Sequence, residues 1–141
     1  MSLFVLDTDH LSLYQRGVEP LTSKLLEVEH SPDELAITII SVEEQMRGRL
    51  AQVRSATTAA RLAQAYHWLH ETFDQLSRFP VLGFDDAAAT AYHDLLARKL
   101  RIGTQDLRIA AIVFSRGGVL LTRNAQDFGR ISGLQIDDWT L

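Results

Sequence analysis

Short apolar, β-branched runs recur along this chain, each followed by a stretch with helical periodicity. No other feature of the sequence limits its fold as much. Residues 3–6, 35–40, 80–84, 119–122 and 134–136 read as strands. Between them, residues 11–16 form a short helix stopped by Gly17, and Pro20 opens another that runs to about residue 29. Ser41 begins a helix with Val42, Met46, Leu50 and Val53 on one stripe, and residues 57–76 carry Leu62, Ala65, Leu69, Phe73 and Leu76 at helical spacing. Asp85 caps a helix over 86–100, Gly103 and Thr104 precede one over 105–115, and Gly117-Gly118 turns into the next strand. Strands that alternate with helices pair in parallel. The expected architecture is therefore α/β, a three-layer sandwich around a central parallel sheet of about five strands. The two adjacent helices between Ser41 and Ser77 break the alternation and are expected to project as an arm.

The bulk numbers narrow the class. A chain of 141 residues, 46% hydrophobic and 23% charged, is expected to fold as one domain over residues 1–141 around a real core. No apolar stretch approaches membrane-spanning length, and no leader pattern opens the chain. With no cysteine, disulfides and thiolate metal sites are excluded, and a cytoplasmic location is expected. The net charge of −4 argues against a nonspecific coat on DNA. It does not argue against an RNA enzyme whose acids are neutralised by divalent cations.

Four acids stand where strands give way to helices: Asp7, Glu44, Asp106 and Asp127. In an open parallel sheet the carboxyl ends of the strands gather along one edge, where ligands bind. Carboxylates brought together there repel one another unless a cation holds them. A hard divalent metal with oxygen ligands, Mg²⁺ or Mn²⁺, is the simplest candidate. Each acid also has an ordinary structural use. Asp7 suits a helix N-cap, and Ser41 with Glu44 has the spacing of a capping box. Asp106 would gain from a helix dipole, and Asp127 suits a surface turn. Asp106 is the most informative, because it shares a helical face with Ile109, Ala110 and Val113, where a carboxylate needs a partner. Periodicity leaves Glu43 and Glu44 both open. Thr122 and Asn124 are neutral oxygen donors in the loop before Asp127, suited to supporting roles. His67 and His70 lack the order of a zinc-protease helix, and neither a glycine-rich phosphate loop nor a nucleophile elbow is present.

Several segments together resemble the PIN domains of the VapC branch of toxin–antitoxin ribonucleases. They are Leu6-Asp7-Thr8-Asp9, Val42-Glu43-Glu44-Gln45-Met46-Arg47-Gly48, Thr104-Gln105-Asp106-Leu107-Arg108, Leu121-Thr122-Arg123-Asn124 with Asp127-Phe128, and the tail from Gly133 to Trp139. The resemblance implies a PIN-like sandwich and a metal-dependent endoribonuclease. It also implies an RNA substrate, a small cognate antitoxin as partner, and a homodimer. The family's glutamate lies four residues before a glycine, so Gly48 implies Glu44 rather than Glu43. The first and third family acids fall on Asp7 and Asp106. The fourth varies between the positions of Asn124 and Asp127, and Asp127 alone supplies a charge. The metal set implied is Asp7, Glu44, Asp106 and Asp127, with Thr122 and Asn124 in support and Asp9 outside the ligand set. Arg47, Arg49, Arg108 and Arg123 are candidate phosphate contacts.

Two other readings compete. One keeps the PIN-like fold as a non-catalytic metal-binding or interaction module, since fold does not establish function. The other is a haloacid-dehalogenase-type phosphatase with Asp7 as nucleophile and Asp9 as acid. That family also needs a lysine after a strand, and the only lysines here, Lys24 and Lys99, follow none.

Overall fold

The computed structural model describes all 141 residues. In chain order the elements are β1 (Leu3–Leu6), α1 (Thr8–Gln15), α2 (Leu21–Glu29), β2 (Glu34–Thr38), α3 (Ile39–Ser55), α4 (Ala59–Leu76), β3 (Val81–Leu82), α5 (Asp86–Ala97), α6 (Thr104–Arg116), β4 (Val119–Leu121), α7 (Ala125–Phe128) and β5 (Gln135–Asp137). All strand pairs are parallel, and the five-stranded sheet runs β3-β2-β1-β4-β5. The expected α/β sandwich is therefore the fold observed.

Two cores form because neighbouring residues of a strand point to opposite faces. Val5 pairs with Leu120 and Leu6 with Leu121 across β1 and β4. Val5 and Leu120 join a cluster with Leu95 of α5, Ile109 and Ile112 of α6, and Phe128 of α7. Leu6 and Leu121 face the other way, with Ile37, Leu11, Leu21, Leu25 and Leu76. Each fully buried side chain of this size contributes about 1.5–3 kcal/mol of transfer free energy. Both faces of the central strands are covered, which is why these strands read as unbroken apolar runs.

Local boundaries depart from expectation where a cap overrides propensity. The second strand stops at Thr38 rather than at residue 40. The Thr38 hydroxyl accepts the Ser41 amide at 3.2 Å and starts α3 there, drawing the β-branched Ile39 and Ile40 into its first turn. The Ser41–Glu44 capping box is thereby excluded, and Ser41 lies inside the helix, buried. Likewise α1 begins at Thr8, capped by Asp7, three residues before the expected start. The short helix α7 had no periodic signal because it is one turn long. Gly117 ends α6 in the left-handed region (φ 65°), as the Gly-Gly turn predicts. Helix α4 packs chiefly against α3, and Leu62, Tyr66 and Phe73 form an exposed apolar stripe along it. This fits the expected arm.

Candidate active site

Asp7 ends β1 beside β4, at the point where the strand order reverses. In open α/β sheets that is the place for a ligand crevice. Its amide donates to the Leu121 carbonyl at 3.0 Å, and its Oδ1 accepts the His10 amide at 2.7 Å. The capping reading and the crevice reading thus hold for the same carboxylate. Capping occupies Oδ1, while Oδ2 makes no hydrogen bond within the chain. Asp7 is only 5% exposed, yet it lines a cavity of about 540 Å³ together with Asp106, Asn124, Asp9 and Arg123.

Asp106 lies in the first turn of α6, half-buried, on the flank of the buried Ile109, Ala110 and Val113. Burial, and after it the fields of the Asp7 and Asp127 carboxylates, raises its pKa above the ordinary carboxylate value. Glu44, in the second turn of α3, is also raised. Burial is the main cause, Asp106 adds to it, and the nearby Thr8 hydroxyl opposes it. Glu44 faces an adjoining groove that meets the first cavity at Ser12. Glu43 behaves in the opposite way. It is exposed, accepts from Gln105 at 3.1 Å and from Arg47 at 2.8 Å, and its pKa is lowered, by the Gln105 bond foremost. One glutamate is a solvated, paired surface group; the other is crowded by acids.

Asp127 stands one layer back. Asn124 caps α7 by accepting the Asp127 amide at 3.3 Å, and its Nδ2 donates to Asp127 Oδ2 at 3.0 Å. Asn124, not Asp127, lines the cavity, while Asp127 reaches Asp106 through its field and lies 3.8 Å from Arg130. Thr122 is buried and its hydroxyl accepts the Asn124 amide at 2.9 Å, so it shapes the loop that presents Asn124.

These donors suit a hard cation in kind, being carboxylate and amide oxygens with no sulfur. In spacing they are open: no three Asp, Glu or His side chains close around one point tightly enough to grip an ion by themselves. Magnesium is compatible with that arrangement, because it keeps several waters and binds through one or two carboxylates plus substrate phosphate. Asp7 and Asp106, on one cavity, are the pair that fits. The raised pKa values of Asp106 and Glu44 come first from burial, with neighbouring carboxylates adding to it.

Sequence reasoning passed over His10. Its ring is fully buried. Nε2 accepts the Trp139 amide at 3.3 Å, and Nδ1 faces Asp7 Oδ1 at 3.5 Å with no hydrogen-bond partner. The histidine ties the chain's last strand region to its first acid. The one available signal was its position three residues after Asp7, since the contact to Trp139 spans 129 residues. Asp9 also has a definite place: it holds Arg123 through two bonds of 2.7 and 3.2 Å at the cavity wall. Neither lysine lines the cavity, and Lys24 instead donates to the Leu141 carbonyl, so the phosphatase reading lacks its cation.

No family model matches the chain. It is 41% identical over 69 residues to the tRNA(fMet)-specific endonuclease VapC of Shigella flexneri, a match covering 46% of this chain and 52% of that protein. The chain thus spans about half the length of the curated relatives it matches. Likeness to solved structures extends over the whole chain. The DNA-bound VapBC of Salmonella typhimurium aligns with TM-score 0.76 and 28% identity, covering 99% of both chains. VapBC2 of Rickettsia felis, bound to a promoter DNA fragment, aligns with TM-score 0.74 and 22% identity, covering 97% of this chain and 98% of that one. Over its full length the chain is similar in fold to the VapBC structures, and over about half of its length it is similar in sequence to curated VapC ribonucleases.

Proposed function

We propose that the chain is a metal-dependent endoribonuclease, the toxin of a type II toxin–antitoxin pair. The observation that carries this reading is the carboxylate cavity at the sheet's switch point, where Asp7 and Asp106 face one space and Asp106 feels both Asp7 and Asp127. Asp7 and Asp106 would hold one or two Mg²⁺ or Mn²⁺ ions directly, with Glu44 at the adjoining groove and Asp127 behind Asn124 completing the acidic set. Such ions, when bound, supply an activated water and offset charge on the scissile phosphate.

The chain's own part is placement. Asp7 is fixed by its cap to α1, with Oδ2 left for the crevice. Asp106 is held by a helix whose next turns are buried in the core. Asn124 lines the cavity and braces Asp127 through both ends of its amide. No imidazole stands free in the cavity to act as general base, which agrees with a water activated by other means.

Among the solved structures it resembles is a toxin–antitoxin complex from Klebsiella pneumoniae. A cognate antitoxin is accordingly proposed here, with a homodimer of this chain in the cytoplasm. No helix is long and apolar enough to cross a membrane. Among the apolar residues of α1, α2 and α4, Leu13 and Leu25 are core residues, and Tyr14 is half-buried edge-on to Phe79. Leu26, Tyr66 and Trp68 remain exposed, and an amphipathic antitoxin helix docking in helix-in-groove manner would use such residues.

Expressed alone in a bacterial host, the chain is expected to arrest growth, and Asp7→Asn to relieve the arrest at equal protein level. Arrest that survives Asp7→Asn would contradict catalysis and favour the non-catalytic module.

A further inference from the structure

Four of the twelve arginines in this chain are ion-paired and eight are not. Arg47, Arg116, Arg123 and Arg130 are each ion-paired, with Glu43, Asp85, Asp9 and Asp127. Among the unpaired ones, Arg49 and Arg16 both line one groove of about 450 Å³ between α1 and α3, which Glu71 and Gln75 of α4 also border. That groove opens beside the carboxylate cavity, since Ser12 borders both and Glu44 looks into it.

Arg49 is unpaired but not loose. Its Nε donates to the Thr72 hydroxyl at 2.9 Å, its Nη1 donates to Gln52 Oε1 at 3.0 Å, and its guanidinium lies 5.7 Å from the centre of the Trp68 ring. Thr72 is 3% exposed, a buried hydroxyl committed to orienting this one cation. The Nη2 end makes no hydrogen bond within the chain. A guanidinium held in a fixed plane, with one end free and no carboxylate within ion-pair distance although Glu44 and Glu71 line the same groove, can accept an oxyanion there. The groove's lining contains no apolar residue. Bases bind single-stranded sites by stacking on aromatic or apolar surfaces, and this groove offers none, so it suits sugar and phosphate rather than a base.

We infer that the α1–α3 groove carries the RNA backbone on one side of the cleaved bond, with Arg49 and Arg16 each contacting a phosphate. This rests on the ribonuclease reading and adds to it the direction in which the strand leaves the carboxylates. Of the four arginines suggested by sequence for phosphate contact, it selects Arg49. Arg47 and Arg123 are already paired with carboxylates, and Arg108 does not line the groove.

The test measures binding of a labelled, unstructured single-stranded RNA of mixed sequence by fluorescence anisotropy. Asp7→Asn protein is used so that the probe stays intact, and salt is varied. Arg49→Gln and Arg16→Gln are each expected to reduce the slope of log affinity against log salt by about 0.7, the contribution of one phosphate contact on a single strand. The double variant should lose about 1.4. Arg49→Lys keeps the charge and should keep the slope while weakening affinity, which a merely structural role of Arg49 would not produce. Arg116→Gln, remote from the groove, should bind as the parent does. Arg16 makes no side-chain contact that folding needs, so its variant decides the matter even if Arg49→Gln unfolds. Unchanged slopes in a parent that binds RNA overturn this inference alone. A parent that binds no RNA overturns the ribonuclease reading, and this inference with it.

Discussion

Asp106→Asn is expected to melt at a higher temperature than the parent in EDTA and at a lower one in saturating Mn²⁺. The metal-free half follows from charge. Burial and the neighbouring carboxylates raise the pKa of Asp106 in the folded state, so ionised Asp106 is a cost to the fold. The folded protein then binds more protons than the unfolded one between the ordinary aspartate value and the raised one. Stability therefore falls as pH rises through that window and stays reduced above it. Asparagine removes the cost at neutral pH, and its advantage should close as pH drops below the window. At half-burial, solvent screening holds the gain below about 1 kcal/mol. The metal-bound half is larger. A cation at a hundred times its Kd stabilises the fold by about 2.7 kcal/mol, or about 6–10 °C for a chain of this length. Asp106→Asn should forgo most of that. Differential scanning fluorimetry with and without Mn²⁺ checks the crossing. Parallel shifts in both proteins would show that Asp106 is not a ligand.

The second large effect lies in the variant series on cleavage. Asp7→Asn, Asp106→Asn and Glu44→Gln should each lower kcat/KM by at least about 10²-fold, the scale on which losing one group aimed at developing charge is felt. Pairs of these changes should fall far short of additivity, because residues serving one centre act as a unit. Glu43→Gln is the internal control. Glu43 is exposed, pairs with Arg47 and Gln105, and should leave cleavage within about twofold of the parent, as expected for surface changes away from special features. The assignment of Glu44 fails if Glu43→Gln abolishes cleavage and Glu44→Gln does not.

The sheet was legible because burial on both faces leaves a plain mark: apolar runs such as residues 3–6 and 119–122, bounded by turn chemistry. Asp7 and Asp106 were legible for a related reason. An acid at a strand's end, or on the apolar side of a helix, is out of place by composition alone. The illegible parts depended on single hydrogen bonds or on distant contacts. Local pattern favoured Ser41 as a cap, and the Thr38 hydroxyl moved the helix start three residues earlier. That shift removed the structural rival for Glu44, since a residue inside α3 has no free cap amide to reach back to. Between Asn124 and Asp127 the sequence offered only charge as a guide. In the structure the Asn124 amide stands at the cavity, with the Asp127 carboxylate behind it in contact with that amide. His10 was passed over because its partners, Asp7 and Trp139, meet only once the last strand has paired.

The most direct test of the central claim is metal removal and return on one defined RNA. Purified chain stripped with EDTA should leave the RNA intact, and added Mg²⁺ or Mn²⁺ should restore cleavage at the same bonds. Asp7→Asn should stay inactive at every metal concentration that activates the parent. Cleavage that continues in EDTA, or that Asp7→Asn performs as the parent does, would contradict a carboxylate-held metal centre as the source of activity.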